Sequence, residues 1–122
     1  MPIKASAKSL FDKQNYNIQA FSPDKNIKHS EAVVNFGKLV FNEKSISGNG
    51  KRSCASCHQA DKFFTDGVAK NLSLNQKSSI KRNTPTVMYS GWQMAQFYDL
   101  RTAFLEDQIE DVLKNPHEME SS

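Results

Sequence analysis

Cysteine is scarce in this chain: two in 122 residues, both inside the run Cys54-Ala55-Ser56-Cys57-His58. A disulfide across two intervening residues would close a loop too short to constrain the unfolded chain, so a cross-linked scaffold gains little support. Histidine is sparse too. His29, His58 and His117 include no His-x3-5-His pair, and with two cysteines the chain falls short of the ligand pattern of a structural zinc site. No apolar run approaches the length of a membrane span, and Met1 to Leu10 lacks the apolar centre of a secretory signal. An excess of one charge is missing as well. The 16 Lys and Arg against 13 Asp and Glu leave a net charge of +3 with the basic residues scattered, which does not point to nucleic acid. Strand-like alternation is absent throughout.

What the chain does have is Cys-x-x-Cys-His, the attachment pattern of a c-type haem. Two thiols three positions apart can add to the two vinyl groups of one porphyrin, and the adjoining imidazole then reaches the iron. A thioredoxin-like dithiol would want a strand before the first cysteine, yet Ser45-Ile46-Ser47-Gly48-Asn49-Gly50-Lys51-Arg52 reads as a polar loop. That reading also leaves His58 idle. The Lys51-Arg52 pair reads as a solvated edge or a contact to haem propionates. A chain of 122 residues is one domain with a modest core, and a covalent haem would add apolar surface to it. Covalent haem attachment implies export in bacteria, so a periplasmic location is expected, with the signal removed or the chain lying inside a longer precursor.

The periodicity describes an all-α domain with long loops around one haem. Residues 1 to 29 are polar, with scattered Phe11, Tyr16, Ile18 and Phe21 and a Ser22-Pro23-Asp24 turn, and read as an N-terminal arm or leader before a domain over 30 to 122. From the N-cap Ser30, Ala32, Val33, Phe36, Leu39 and Val40 fall at helical spacing. Ser53 is placed to cap the short helix that carries Cys54, Cys57 and His58 on one face. Residues 65 to 86 are polar and loop-like. A last helix is predicted from near Arg101-Thr102, with Phe104, Leu105, Gln108, Ile109, Val112 and Leu113 on one stripe, stopping at Asn115-Pro116.

Several blocks carry a family resemblance. Gly37-Lys38-Leu39-Val40-Phe41, Ile46-Ser47, Ser53-Cys54-Ala55-Ser56-Cys57-His58, Phe64-Thr65-Asp66-Gly67, Arg82-Asn83-Thr84-Pro85-Thr86-Val87, Gln96-Phe97-Tyr98-Asp99-Leu100-Arg101, Leu105-Glu106-Asp107-Gln108 and Asn115-Pro116-His117-Glu118-Met119 occur in order. Over residues 36 to 119 the chain resembles the N-terminal haem domain of the bacterial di-haem cytochrome c peroxidases, a framework shared by the methylamine dehydrogenase maturation enzyme. The resemblance implies a cytochrome c-like fold and reduction of hydrogen peroxide with electrons from a small cytochrome or copper protein. It also implies a second haem domain or subunit that this chain does not contain, so the chain reads as a fragment, a split subunit or an isolated domain. The resemblance also allows calcium in the full-length enzyme, lying between the two family domains with ligands from both.

Residue by residue, the resemblance makes Cys54 and Cys57 the haem tethers and His58 the proximal iron ligand. Glu106 matches the distal acid that moves a proton between the two oxygens of peroxide, a shuttle needed for the departing oxygen to leave as water. Gln96 matches the flanking amide, which would orient peroxide and tune the acid. Arg101 belongs to an Asp-Gly-Arg turn close to the haem. There Leu100 stands in place of the family's glycine and Tyr98 in place of its tryptophan. Many members carry a histidine after the haem motif that caps the resting iron. Residues 59 to 82 contain none, which predicts an open or water-bound distal face. Met88 and Tyr89 stand where the family places an inter-haem tryptophan, and Trp92 is the candidate substitute. Against the enzyme stands an electron-transfer cytochrome with His/Met ligation, in which Met119, Met88 or Met94 would close the iron to peroxide.

Overall fold

The structure, a computed structural model, describes residues 29–121. The arm or leader read over residues 1 to 29 therefore lies outside the described residues apart from its last position. Helix α1 spans Glu31–Asn42, α2 spans Cys54–Cys57, and α3 spans Leu105–Lys114, with short 3-10 turns at Ala60–Lys62 and Ser90–Trp92. The regular elements are helical. Among the described residues pairing is limited to isolated antiparallel bridges, Gln59 with Thr65, Leu72 with Ser79 and Gln96 with Thr102, and there is no sheet.

Local chemistry sets the helix ends. Ser30 caps α1, its Oγ accepting from the Val33 N–H at 3.3 Å. At α2 the Ser53 N–H donates to Ser56 Oγ at 2.9 Å, which closes the first turn. Helix α3 starts at Leu105, later than the sequence predicts, because Thr102 is held elsewhere. Its carbonyl accepts from the Gln96 N–H at 2.7 Å, and its Oγ1 donates to Asp111 Oδ2 at 3.2 Å. Asn115 ends the helix as expected, its N–H donating to the Asp111 carbonyl at 3.1 Å.

The apolar stripes do not close a core of their own. Val40 and Phe41 are half-buried where α1 meets α2, while Val33, Phe36 and Leu39 stand exposed on the face beside them. On α3, Leu105, Gln108, Val112 and Leu113 are half-buried, and Phe104 and Ile109 are exposed. Among the described residues the buried apolar side chains are Leu74, 4% exposed, and Met119, 3% exposed. The other buried side chains are polar: Ser47, Ser53, Asp66, Ser73, Gln96 and Thr102. Among the described residues none of the buried side-chain nitrogens or oxygens lacks a hydrogen-bond partner, so a polar network takes the place of an oily centre.

That network gathers three loops around one guanidinium. Arg52 Nη2 donates to the Leu72 and Ser73 carbonyls at 2.9 and 3.2 Å, and Nη1 to those of Glu118 and His117 at 3.3 and 3.5 Å. The Leu74 N–H donates to the His117 carbonyl at 2.8 Å, and the Gly48 N–H to the Met119 carbonyl at 2.7 Å. A Cβ on Gly48 would run into the Glu120 carbonyl oxygen, so this approach requires glycine. Arg52, half-buried, is thus a clamp immediately before the haem motif. Of the pair read as a solvated edge, only Lys51 is exposed.

Candidate functional site

Helix α2 carries two free, half-buried thiols one turn apart, Cys54 and Cys57. Burial pushes both thiols up from the ordinary value, and at Cys57 the charges of Asp66 and Glu118 push the same way while Arg52 opposes them. They stand as thiols, unlike the activated thiolates of redox motifs. Among the described residues no group of three or more His, Cys, Asp or Glu side chains is arranged to hold a metal ion.

His58 follows as the helix C-cap. Its N–H still closes onto the Cys54 carbonyl at 2.9 Å, but its φ of −109° and ψ of 75° turn the ring out of the helical path. The ring Nδ1 lies 3.1 Å from the Phe64 carbonyl oxygen. A carbonyl can only accept, so this bond requires the proton on Nδ1 and leaves the Nε2 lone pair to bind a metal. The fixed tautomer and the neighbouring thiols form the donor set of a covalently tethered haem, and these residues fit that group.

The Phe64 carbonyl is aimed at His58 by a strained turn. Phe63 and Phe64 both lie in the left-handed region, at φ of 54° and 57°. Each such non-glycine residue costs about 1–2 kcal/mol. The turn is closed by the Phe64 N–H on the Gln59 carbonyl at 2.8 Å and the Gln59 N–H on the Thr65 carbonyl at 3.0 Å. The Phe64 ring meets Phe41 edge to face at 6.5 Å between centroids. Both rings, with Val34 and Val87, line an open apolar groove of about 450 Å³ along α1.

The remaining candidates lie on the other loops. Gln96 is 2% exposed, and its Nε2 donates to the Ser90 carbonyl at 3.2 Å. Its backbone pairing with Thr102, and the bond from Thr102 to Asp111, tie it to α3. Glu106 stands exposed in the first turn of that helix, and among the described residues no hydrogen bond joins it to Gln96. Arg101 lies 3.4 Å over the Phe97 ring, donates to Asp99 at 2.9 Å and approaches Asp111 at 3.9 Å. Burial raises the Glu118 carboxyl, opposed by Arg101, Arg52 and His117. Met119 is buried, whereas Met88, Met94 and Trp92 are exposed.

Leu100 has a φ of 55°. That is the left-handed conformation glycine adopts freely, and here leucine takes it under strain. Sequence reading missed Arg52 as a clamp, Asp66 as a buried carboxylate and the Phe64 carbonyl as the partner of His58. Gly67, in the stretch read as loop-like, has a φ of 71°. Nothing in the sequence marked Phe63 and Phe64 as left-handed.

Comparison with known proteins places this geometry. A family profile described as di-haem cytochrome c peroxidase matches residues 31–122. The chain is similar to methylamine utilization protein MauG of Methylophilus methylotrophus, 36% identical over 83 residues, 68% of this chain and 24% of that protein. It is similar to cytochrome c551 peroxidase of Nitrosomonas europaea, 34% identical over 91 residues, 74% of this chain and 27% of that protein. A solved MauG-like protein associated with microbial copper homeostasis aligns with a TM-score of 0.73 and 30% identity, over 88% of this chain and 33% of that one. The diheme peroxidase BthA of Burkholderia thailandensis shares the fold, with a TM-score of 0.70 and 23% identity over 78% of this chain and 28% of its own. The chain spans about a quarter of the length of these two curated relatives. Helical architecture, the thiol–imidazole set and the profile match converge: the chain belongs to the di-haem cytochrome c peroxidase family.

Proposed function

We propose that residues 30 to 122 form the peroxidatic haem domain of a periplasmic peroxidase that reduces hydrogen peroxide with electrons from a small cytochrome or copper protein. The observation that carries the reading is the His58 ring, held by the Phe64 carbonyl at 3.1 Å and flanked by two free thiols on α2. Cys54 and Cys57 would tether one haem and His58 would ligate its iron, supplying one-electron chemistry when the group is bound.

The chain's own residues supply the proton chemistry. Glu106 takes a proton from one oxygen of peroxide and returns it to the other, so that the departing oxygen leaves as water. Gln96 donates one Nε2 hydrogen to the Ser90 carbonyl, and its amide oxygen orients peroxide by accepting an O–H. Arg101 holds the turn beside the site through Phe97 and Asp99. Reduction of peroxide to two waters takes two electrons and two protons. A single haem iron does not supply both electrons easily, which is the role left for a second haem domain or subunit, with Trp92 as a bridge between the two.

The test is steady-state peroxide reduction by the haem-loaded full-length protein with a reduced small cytochrome as donor. Glu106→Gln should lower kcat by about 10²–10⁴-fold, the usual worth of a positioned proton shuttle. Retention of the parent rate would remove Glu106 from the mechanism. The alternative carrier, with a methionine on the iron, would instead exchange electrons with the donor and leave peroxide untouched.

A further inference from the structure

Among the described residues Asp66 is the one buried carboxylate, at 4% exposure. An ionised carboxyl taken out of water needs donors around it. Asp66 has them: Oδ1 accepts from the Val68 N–H at 3.0 Å, and Oδ2 accepts a short bond from Thr84 Oγ1. Burial pushes the carboxyl up, but these two bonds and the neighbouring Asn71 amide outweigh it and hold the group below its ordinary 3.8. A full negative charge is thus fixed inside the domain at neutral pH.

Two arms run from Asp66 and its neighbours to the haem-binding residues. The first is Asn71. Its Oδ1 accepts from the Leu72 N–H at 2.7 Å, which fixes the amide so that Nδ2 donates to Cys57 Sγ at 3.3 Å. The second is the turn itself. Asp66 closes the segment whose Phe64 carbonyl orients His58, and Lys62 Nζ fastens the Asp66 carbonyl at 3.2 Å. Thr84 draws the Arg82-Asn83-Thr84-Pro85 segment onto the same carboxylate.

We propose that Asp66 is a positioning residue for the haem, acting through Asn71 on the Cys57 sulfur and through the Phe64 turn on His58, with its buried charge favouring the oxidised iron. The inference rests on the haem-domain reading above. A fixed negative charge beside the haem stabilises the ferric form over the ferrous, and a firmly held Nδ1 proton makes the imidazole a stronger donor to the metal.

The experiment uses the haem-loaded full-length protein and reads the midpoint potential of this haem and its iron–histidine stretching frequency. Asp66→Asn should raise the potential and lower the stretching frequency, Asp66→Glu should restore part of both, and Asp61→Asn, an exposed carboxylate nearby, should change neither. Asn71→Leu keeps the buried charge and breaks the sulfur arm. It should raise the fraction of protein holding haem by a single thioether, read by intact mass and the pyridine haemochrome band. If Asp66→Asn does not fold, Asn71→Leu decides alone, and unchanged double attachment overturns the proposal. Unchanged potential and stretching frequency in a folded Asp66→Asn protein also overturn it. A parent protein with no covalent haem would overturn the haem-domain reading itself, and this inference with it.

Discussion

Replacing Arg52 tests whether one guanidinium holds the loops around the haem motif together. Its four bonds reach carbonyls in two segments, Leu72–Ser73 and His117–Glu118, which are 20 and 65 residues away at their nearer measured partners. Two bonds are well formed, at 2.9 and 3.2 Å, and two are long, at 3.3 and 3.5 Å. Taking about 1 kcal/mol for each good bond and about half that for each long one, Arg52→Ala should cost about 3 kcal/mol. Arg52→Lys keeps the charge but cannot fork. It should recover about one bond and still cost about 2 kcal/mol. Urea unfolding of the haem-loaded protein, compared at equal slope, reads both values. A loss under about 0.5 kcal/mol for alanine, the range of an ordinary surface change, would refute the clamp. Equality of lysine with the parent would show that charge alone matters.

Leu100→Gly should stabilise the protein by about 0.5–1 kcal/mol in the same assay. Relief of a left-handed leucine is worth about 1–2 kcal/mol and is partly offset by the entropy glycine gains in the unfolded chain. The side chain, 66% exposed, gives up little burial, and Leu100→Ala should gain nothing because its Cβ keeps the strain. Glu118 makes a pH prediction. Burial raises its folded pKa, so the native state binds this proton more tightly than the unfolded chain, and stability falls as pH rises from the ordinary 4.5 through the folded value. Glu118→Gln should flatten that limb in unfolding measured against pH. Asp66 works in the opposite sense: its contribution is present above 3.8 and is lost as pH falls through its lower folded value.

The parts of this molecule written in local code were legible in the sequence. Ser30 caps α1 and Asn115 ends α3 because each uses its own side chain or chain stop within a few residues. Cys54, Cys57 and His58 form one short constellation for the same reason. The start of α3 was misplaced because Thr102, a plausible cap by residue type, is committed to Gln96 and Asp111. Arg52 read as an edge residue or a propionate contact because its partners lie far along the chain and are carbonyls, which every residue carries. The apolar stripe of α1 promised a core face, but Phe36 and Leu39 stand exposed because nothing among the described residues packs over them. Periodicity shows that a face is apolar without showing what covers it. Leu100 shows a further limit, because a leucine in the left-handed region carries no mark in its residue type.

The central claim is a haem tethered by Cys54 and Cys57, ligated by His58 and open to peroxide. The most direct measurement is the absorption spectrum of the ferric haem-loaded protein at neutral pH, before and after one equivalent of hydrogen peroxide, beside Glu106→Gln. A high-spin spectrum that changes rapidly on mixing, with the change slowed or lost in the variant, is the predicted result. A low-spin spectrum with a methionine-to-iron charge-transfer band, indifferent to peroxide, would contradict it and make the domain an electron carrier.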